Sequence, residues 1–401
     1  MQNLSWMDEK AMILFSIIGL FIVAAVFLFI IIEYTLRIRK WIRNVFFIKE
    51  VKRKDFLAAE YQDYINWIED WSKPMFQYLP IGFRLFNNHN QIASINNNSL
   101  GFRCEEFEEP DENTLRLIIL GGSSAWGCGA SSNEKTIAGQ LERMINSDSR
   151  ALGSFRRAKC YNLAQVNGYQ TQDLLTMLFF TRKIRPHYAV SFTGWNELVA
   201  INEMKIDLLE KYGVYYISEM EGWEPIGVGD NKKKLLKKAL KMWGIEKSEV
   251  VKFFSSFNNP QETEGGSTLK EKIALGTKIF IDHLKKIQIL SQALNMKHYQ
   301  FMQPYLFRKK FLTEQEAKVI HLYDDVRPVM GGKQVSDYLR ENNIYIPILS
   351  ECRRNPEIGP LIDLCDIFRE EHDSMFYTLV HLTDQGYRKI AENIFEALPK
   401  Y

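Results

Sequence analysis

Ser123 lies in the run Ile119-Leu120-Gly121-Gly122-Ser123-Ser124-Ala125-Trp126-Gly127, a small hydroxyl residue flanked by glycines directly after an apolar stretch. Glycines on both sides let the backbone turn sharply and leave the hydroxyl at the mouth of the sheet to which that stretch belongs. A serine hydroxyl is a poor nucleophile until a base takes its proton, so a histidine is the partner to look for. The chain holds seven histidines, His89, His187, His283, His298, His321, His372 and His381. Two further polar positions follow apolar runs: Gly168, which closes Tyr161-Asn162-Leu163-Ala164-Gln165-Val166-Asn167-Gly168, and Asn196 in Phe192-Thr193-Gly194-Trp195-Asn196-Glu197. Taken singly, Asn167-Gly168 reads as a turn and Asn196 as a helix cap. The turn at Ser123 could also cradle a phosphate, but it has neither the lysine of GxxxxGK[ST] nor the GxGxxG spacing.

The elements that must carry these residues alternate along the chain. An apolar run from Leu115 to Leu120, broken by Arg116, reads as a strand that ends in Gly121-Gly122, and Ile137, Leu141, Met144 and Ile145 give helical spacing to the segment from Ser131 to Asn146. Strands at Lys159 to Leu163 and His187 to Phe192 enclose a helix at Gln172 to Arg182. Between about 200 and 268 the alternation fails; charged and aromatic residues followed by Asn258-Asn259-Pro260 and Glu264-Gly265-Gly266-Ser267 mark an insertion with a flexible exit. The pattern resumes with a helix from about Leu269 to Ala293, a strand at His298 to Met302 and a closing helix from Asp384 to Leu398. Such alternation predicts an α/β fold with a mostly parallel sheet and helices on both faces. Ligands bind beyond the carboxyl ends of strands in sheets of this kind, where Ser123, Gly168 and Asn196 all fall.

Taken together, Gly121-Gly122-Ser123 with Gly127, then Gly168, then Gly194-Trp195-Asn196, then His381 ahead of Leu382-Thr383-Asp384-Gln385-Gly386-Tyr387 resemble, in order and spacing, the four sequence blocks of the SGNH (GDSL-type) hydrolases. Upstream, Asn98-Ser99-Leu100-Gly101-Phe102-Arg103 is similar to a segment that often precedes the nucleophile block in anchored members. The resemblance covers roughly residues 95 to 401, apart from the 200 to 268 insertion, and implies a flavodoxin-like three-layer sandwich. It implies Ser123 as nucleophile, His381 as base, and an oxyanion hole made by the Ser123 N–H, the Gly168 N–H and the Asn196 side-chain amide. Such donors meet the negative oxygen of a tetrahedral intermediate, and each costs about 3 kcal/mol when removed. One position departs from the family: the usual aspartate three residues before the histidine is Thr378, in Tyr377-Thr378-Leu379-Val380-His381. A hydroxyl there can hold the ring's other N–H, and Asp373 or Asp384 are neighbouring carboxylates that could substitute. The function implied is a serine esterase or O-acyltransferase acting on acyl, including acetyl, esters of a glycan, lipid or small molecule, with no cofactor and no metal. A catalytically silent binding or assembly protein that keeps the fold is the alternative, with Thr378 as its mark.

Before this domain, residues 11 to 32 run from Ala11 to Ile32 without a charge, interrupted only by Ser16 and Gly19. As a helix the run rises about 33 Å at 1.5 Å per residue, enough to span a bilayer core. Residues 1 to 10 form a short tail, and residues 33 to 94 a basic juxtamembrane and lead-in segment in which Arg37, Arg39, Lys40, Arg43, Lys49, Lys52, Arg53 and Lys54 alternate with apolar residues. The expectation is a single-pass membrane protein, with the lipid bilayer as one partner and an ester-bearing substrate as the other. The flanking cations place the large domain on the cytoplasmic side, whereas the habit of anchored relatives places it outside. A second basic stretch, Lys232 to Lys241, reads as a solvated face or a lipid contact. With 51 Lys and Arg against 49 Asp and Glu, the net charge of +2 gives no field to concentrate nucleic acid. Five scattered cysteines show neither zinc-site spacing nor a disulfide framework, and read as free thiols, with one bridge as the alternative if the domain faces an oxidising compartment.

Overall fold

The computed structural model describes residues 95–166, 168–197, 269–326, 335–341, 343, 345–359 and 361–400, with short strands between 76 and 92 and scattered helical positions between 17 and 38 upstream. The chain divides into two compact units: one comprises residues 57–218 and 267–401, the other residues 1–56 and 219–266. The whole of the predicted insertion, with the Lys232 to Lys241 stretch, and residues 39 to 75 of the basic segment lie outside the described residues.

The first unit is built on a five-stranded, wholly parallel sheet. Its strands are β1 (Thr114–Gly121), β2 (Arg157–Asn162), β3 (Tyr188–Thr193), β4 (Lys297–Met302) and β5 (Leu361–Asp363), in the spatial order β2-β1-β3-β4-β5. This 2-1-3-4-5 order is the flavodoxin-like one. The principal helices are α1 (Ser123–Trp126), α2 (Ile137–Ser147), α3 (Gln170–Ile184), α4 (Leu269–Ala293) and α5 (Asp384–Ala397). Every residue of β1 is buried, as expected of a central strand covered on both faces. Successive side chains of a strand point to opposite faces. Accordingly Leu115, Leu117 and Ile119 join Ile137 and Leu141 of α2 and Ile390 and Ile394 of α5 in one core, while Ile118 and Leu120 join Met177 and Ile184 of α3 and Ile287 of α4 in another. These two cores make the three layers.

Helix starts follow local chemistry. The Thr136 Oγ1 accepts the Gly139 N–H at 3.2 Å to open α2, and the Thr383 Oγ1 accepts the Gly386 N–H at 3.2 Å to open α5. The helix expected from Ser131 therefore begins at Ile137, after a short 3-10 turn at Asn133–Lys135. The three-residue β5 and the helices at Glu314–Val326, Val335–Glu341 and Ile346–Arg354 are additions to the expected set. After β1 the chain pairs β2 on one side and then crosses to pair β3 on the other, so the loops following β1 and β3 diverge at a topological switch point.

In the other unit, Leu20, Phe21, Val23, Phe27, Leu28 and Ile31 are helical and each is more than half exposed, Leu20 and Phe21 at 73% and 77%. Among the described residues no helix is long and apolar enough to cross a membrane, and about half of the 11 to 32 run lies outside them.

Candidate active site

At the end of β1 the backbone of Gly121 has φ of 131°, and a Cβ there would lie 2.2 Å from the Phe192 carbonyl oxygen of β3. Only glycine permits that approach. Gly122 then leads into α1, a single turn closed by the Trp126 N–H on the Gly122 carbonyl at 2.9 Å, with Gly127 (φ 94°) ending it. Ser123 is the first residue of this turn and is 8% exposed. Its N–H lies in the first turn, where no carbonyl one turn earlier is positioned to accept it.

His381 comes from the loop before α5, and its Nε2 lies 2.9 Å from the Ser123 Oγ across 258 positions of sequence. The two loops are also tied directly: the neighbouring Ser124 Oγ donates to the Val380 carbonyl at 2.9 Å. Burial pushes the His381 imidazole down to about 4, so the ring is neutral near pH 7 and able to accept a proton. Thr378 does not play the part expected of it. Its Oγ1 accepts the main-chain N–H of His381 at 3.1 Å, while the Tyr377 N–H reaches the His381 carbonyl at 2.8 Å. The threonine therefore fixes the backbone that carries the histidine, because a hydroxyl on so short a side chain turns back on its own loop. The two candidate carboxylates are engaged elsewhere: Asp384 accepts from the Ser131 N–H and hydroxyl, and Asp373 from Gln385.

Asn196 lies in the helical segment that begins at Trp195, just after β3. Its Nδ2 donates to the Gly168 carbonyl at 2.8 Å, and a Cβ on Gly122 would lie 2.5 Å from that nitrogen. The amide thus sits against the backbone just before Ser123 and retains a second N–H. Gly168 enters differently from expectation. Its N–H donates to the Gln165 carbonyl at 2.9 Å within a turn, so it is the carbonyl of Gly168 that contributes here, by orienting Asn196. A Cβ at Gly168 would lie 2.8 Å from the Gly121 carbonyl oxygen, which explains the glycine by close approach.

Several supporting residues carry no signal in spacing. Arg103 is buried, donates from Nη1 to the Gly127 carbonyl at 2.6 Å and from Nη2 to the Ala130 carbonyl at 3.1 Å, and lies 4.7 Å over the Trp126 ring. Asn162 holds the Trp126 carbonyl at 3.1 Å and the Tyr387 hydroxyl holds the Cys128 carbonyl at 2.8 Å. The stretch just after Ser123 is thus pinned by buried donors from three distant elements, each of which looks like an ordinary polar residue in sequence. All five cysteines are free thiols, and no group of three His, Cys, Asp or Glu side chains able to hold a metal occurs among the described residues.

No family model matches this chain, and no curated protein matches it in sequence. Solved structures align with it at low identity. An acetyl xylan esterase, AlAXEase, aligns over 71% of this chain and 100% of its own at 12% identity, with a TM-score of 0.37. A GDSL-like lipase from Bacteroides thetaiotaomicron aligns over 73% and 91% at 10% identity and a TM-score of 0.34. A catalytic mutant of an acetylxylan esterase from Geobacillus stearothermophilus aligns over 70% and 93% at 8% identity and a TM-score of 0.36. At such similarity the activity of this chain is read from its own site geometry.

Proposed function

We propose that the protein is a membrane-anchored serine esterase or O-acyltransferase of SGNH type that works through an acyl-enzyme on Ser123. The observation that carries this reading is the 2.9 Å contact between the Ser123 Oγ and the His381 Nε2, made beside the Asn196 amide at the β1/β3 switch point. In the first step the Ser123 Oγ attacks the ester carbonyl while its proton passes to the His381 Nε2. The oxygen of the tetrahedral intermediate is met by the Ser123 N–H and the second N–H of Asn196. Collapse expels the alcohol, which takes the proton back from His381 and leaves acyl-Ser123. Water or a sugar hydroxyl, deprotonated by the same imidazole, then takes the acyl group.

Labelling of the detergent-solubilised full chain by a fluorophosphonate tests the assignment. Labelling that Ser123→Ala abolishes supports it; an unlabelled wild type that also fails to hydrolyse p-nitrophenyl acetate overturns it. The second reading, a silent membrane-tethered binding or assembly protein, draws on Thr378 standing three residues before His381, with its hydroxyl on the His381 main-chain N–H.

The bilayer anchor at residues 11 to 32 belongs to the same proposal. Its support is the uncharged length of the run and the exposure of its described apolar helical side chains, which an apolar solvent would cover. Flanking cations favour a cytoplasmic domain. A cysteine introduced at the exposed position Glu112 should resist an impermeant thiol reagent in intact cells, and strong labelling would place the domain outside.

A further inference from the structure

Glu197 follows Asn196 directly and is fully buried. Its two carboxylate oxygens accept from two different segments: Oε1 takes the N–H of Gln170, the first residue of α3, at 3.0 Å, and Oε2 takes the Gly194 N–H at 2.9 Å. Gln170 lies two residues after Gly168, and Gly194 two residues before Asn196. The Gly168 carbonyl and the Asn196 amide, which meet at 2.8 Å, therefore hang from backbones clamped by one carboxylate. Closing such a bridge with a charged acceptor makes both bonds stronger than neutral ones.

We propose that Glu197 is a positioning residue, whose carboxylate sets the spacing between the Gly168 turn and the segment that carries Asn196 and so holds the Asn196 amide where an oxyanion would form. The ionisable groups that face it are Asp173 on α3 and Tyr345 ahead of the 346–354 helix. Asp173 is pushed well above the carboxylate range by burial and by the charge of Glu197, so it holds its proton and leaves the bridging charge to Glu197. Burial raises the Glu197 carboxyl to about 7. Protonation puts an O–H where an acceptor is needed, and Glu197→Gln reproduces that state at every pH.

The kinetic part of the test rests on the esterase reading; the exchange part does not. In the full chain, amide hydrogen exchange at Gln170 and Gly194 should speed up by about tenfold in Glu197→Gln. With p-nitrophenyl acetate, kcat should fall by about tenfold with KM little changed, because the amide is needed only when charge develops. Wild-type turnover should also show a step near pH 7 that Glu197→Gln lacks. A core truncation away from the site, Ile145→Ala, controls for lost stability. Unchanged exchange at the two amides overturns the proposal, as does a kcat loss no larger than that of an Ile145→Ala variant with the same fall in Tm. A wild type that the fluorophosphonate leaves unlabelled removes the esterase reading alone, and exchange then decides the role of Glu197.

Discussion

Among the described residues, two serine–histidine pairs meet at the same separation, and only one is built for chemistry. Ser123 and His381 meet at 2.9 Å at the switch point; Ser191 of β3 and His298 of β4 meet at 2.9 Å inside the sheet, both buried. The polarity of the inner pair is reversed. The Gln288 Nε2 lies 3.2 Å from the His298 Nδ1, and since an amide NH2 only donates, Nδ1 is the acceptor and Nε2 carries the proton. The imidazole then donates to Ser191, whose hydroxyl faces Asp173. That serine is held, not activated. The outer pair has what the inner one lacks: it stands where a strand ends, and its histidine is only half-buried whereas Ser191 and His298 are both enclosed in the sheet. Distance alone does not make a nucleophile.

Substitutions can break or sharpen this contrast. The largest effect is expected at Ser123→Ala, which should cost at least about 10³-fold in kcat toward p-nitrophenyl acetate, whereas Ser191→Ala should stay within about twofold of wild type. Equal losses in the two variants would erase the distinction. Next comes Asn196→Ala, expected to lower kcat by about 10²-fold with KM little changed, since the amide stabilises charge that exists only in the transition state. Titration gives a third contrast: kcat/KM should fall as pH drops through about 4, where His381 gains a proton and can no longer accept one. His298, pushed by burial to about 3, should add no limb of its own. The smallest effect is on stability, where Ser191→Ala should cost about 1–3 kcal/mol in urea unfolding by leaving His298 and Asp173 short of a partner. Ser123→Ala, whose partner His381 is only half-buried, should cost less.

Much of the α/β layout was legible beforehand, because strands buried on both faces read as apolar runs and their amphipathic helices show a 3.6-residue period. The strands at 115–120, 159–163, 187–192 and 298–302 were visible for that reason. The three-residue β5 was not, since Leu361-Ile362-Asp363 is too short to show a period and sits only half-buried at the sheet edge. At the site, the positions Ser123, Gly168, Asn196 and His381 were marked by glycine turns after strands, whereas the direction of their hydrogen bonds was not. The Gly168 N–H turned out to close a local turn, and Thr378 to hold main chain instead of the imidazole. Both depend on torsions within loops, on which periodicity carries no information. Arg103, Asn162, Tyr387 and Glu197 went unassigned because each acts on backbone carbonyls or amides, and backbone groups look alike in any sequence.

The order of residues by itself determined where strands could stop, where only glycine could stand, and which side chains could take or give a proton. Those are local properties, set by torsional freedom and by functional groups. Which serine would face which histidine, and with what polarity, was decided by a strand order that folds position 381 back onto position 123 and places Ser191 beside His298. Contact between distant positions is a consequence of topology, and the surroundings that topology supplies are what separate a reactive pair from an inert one.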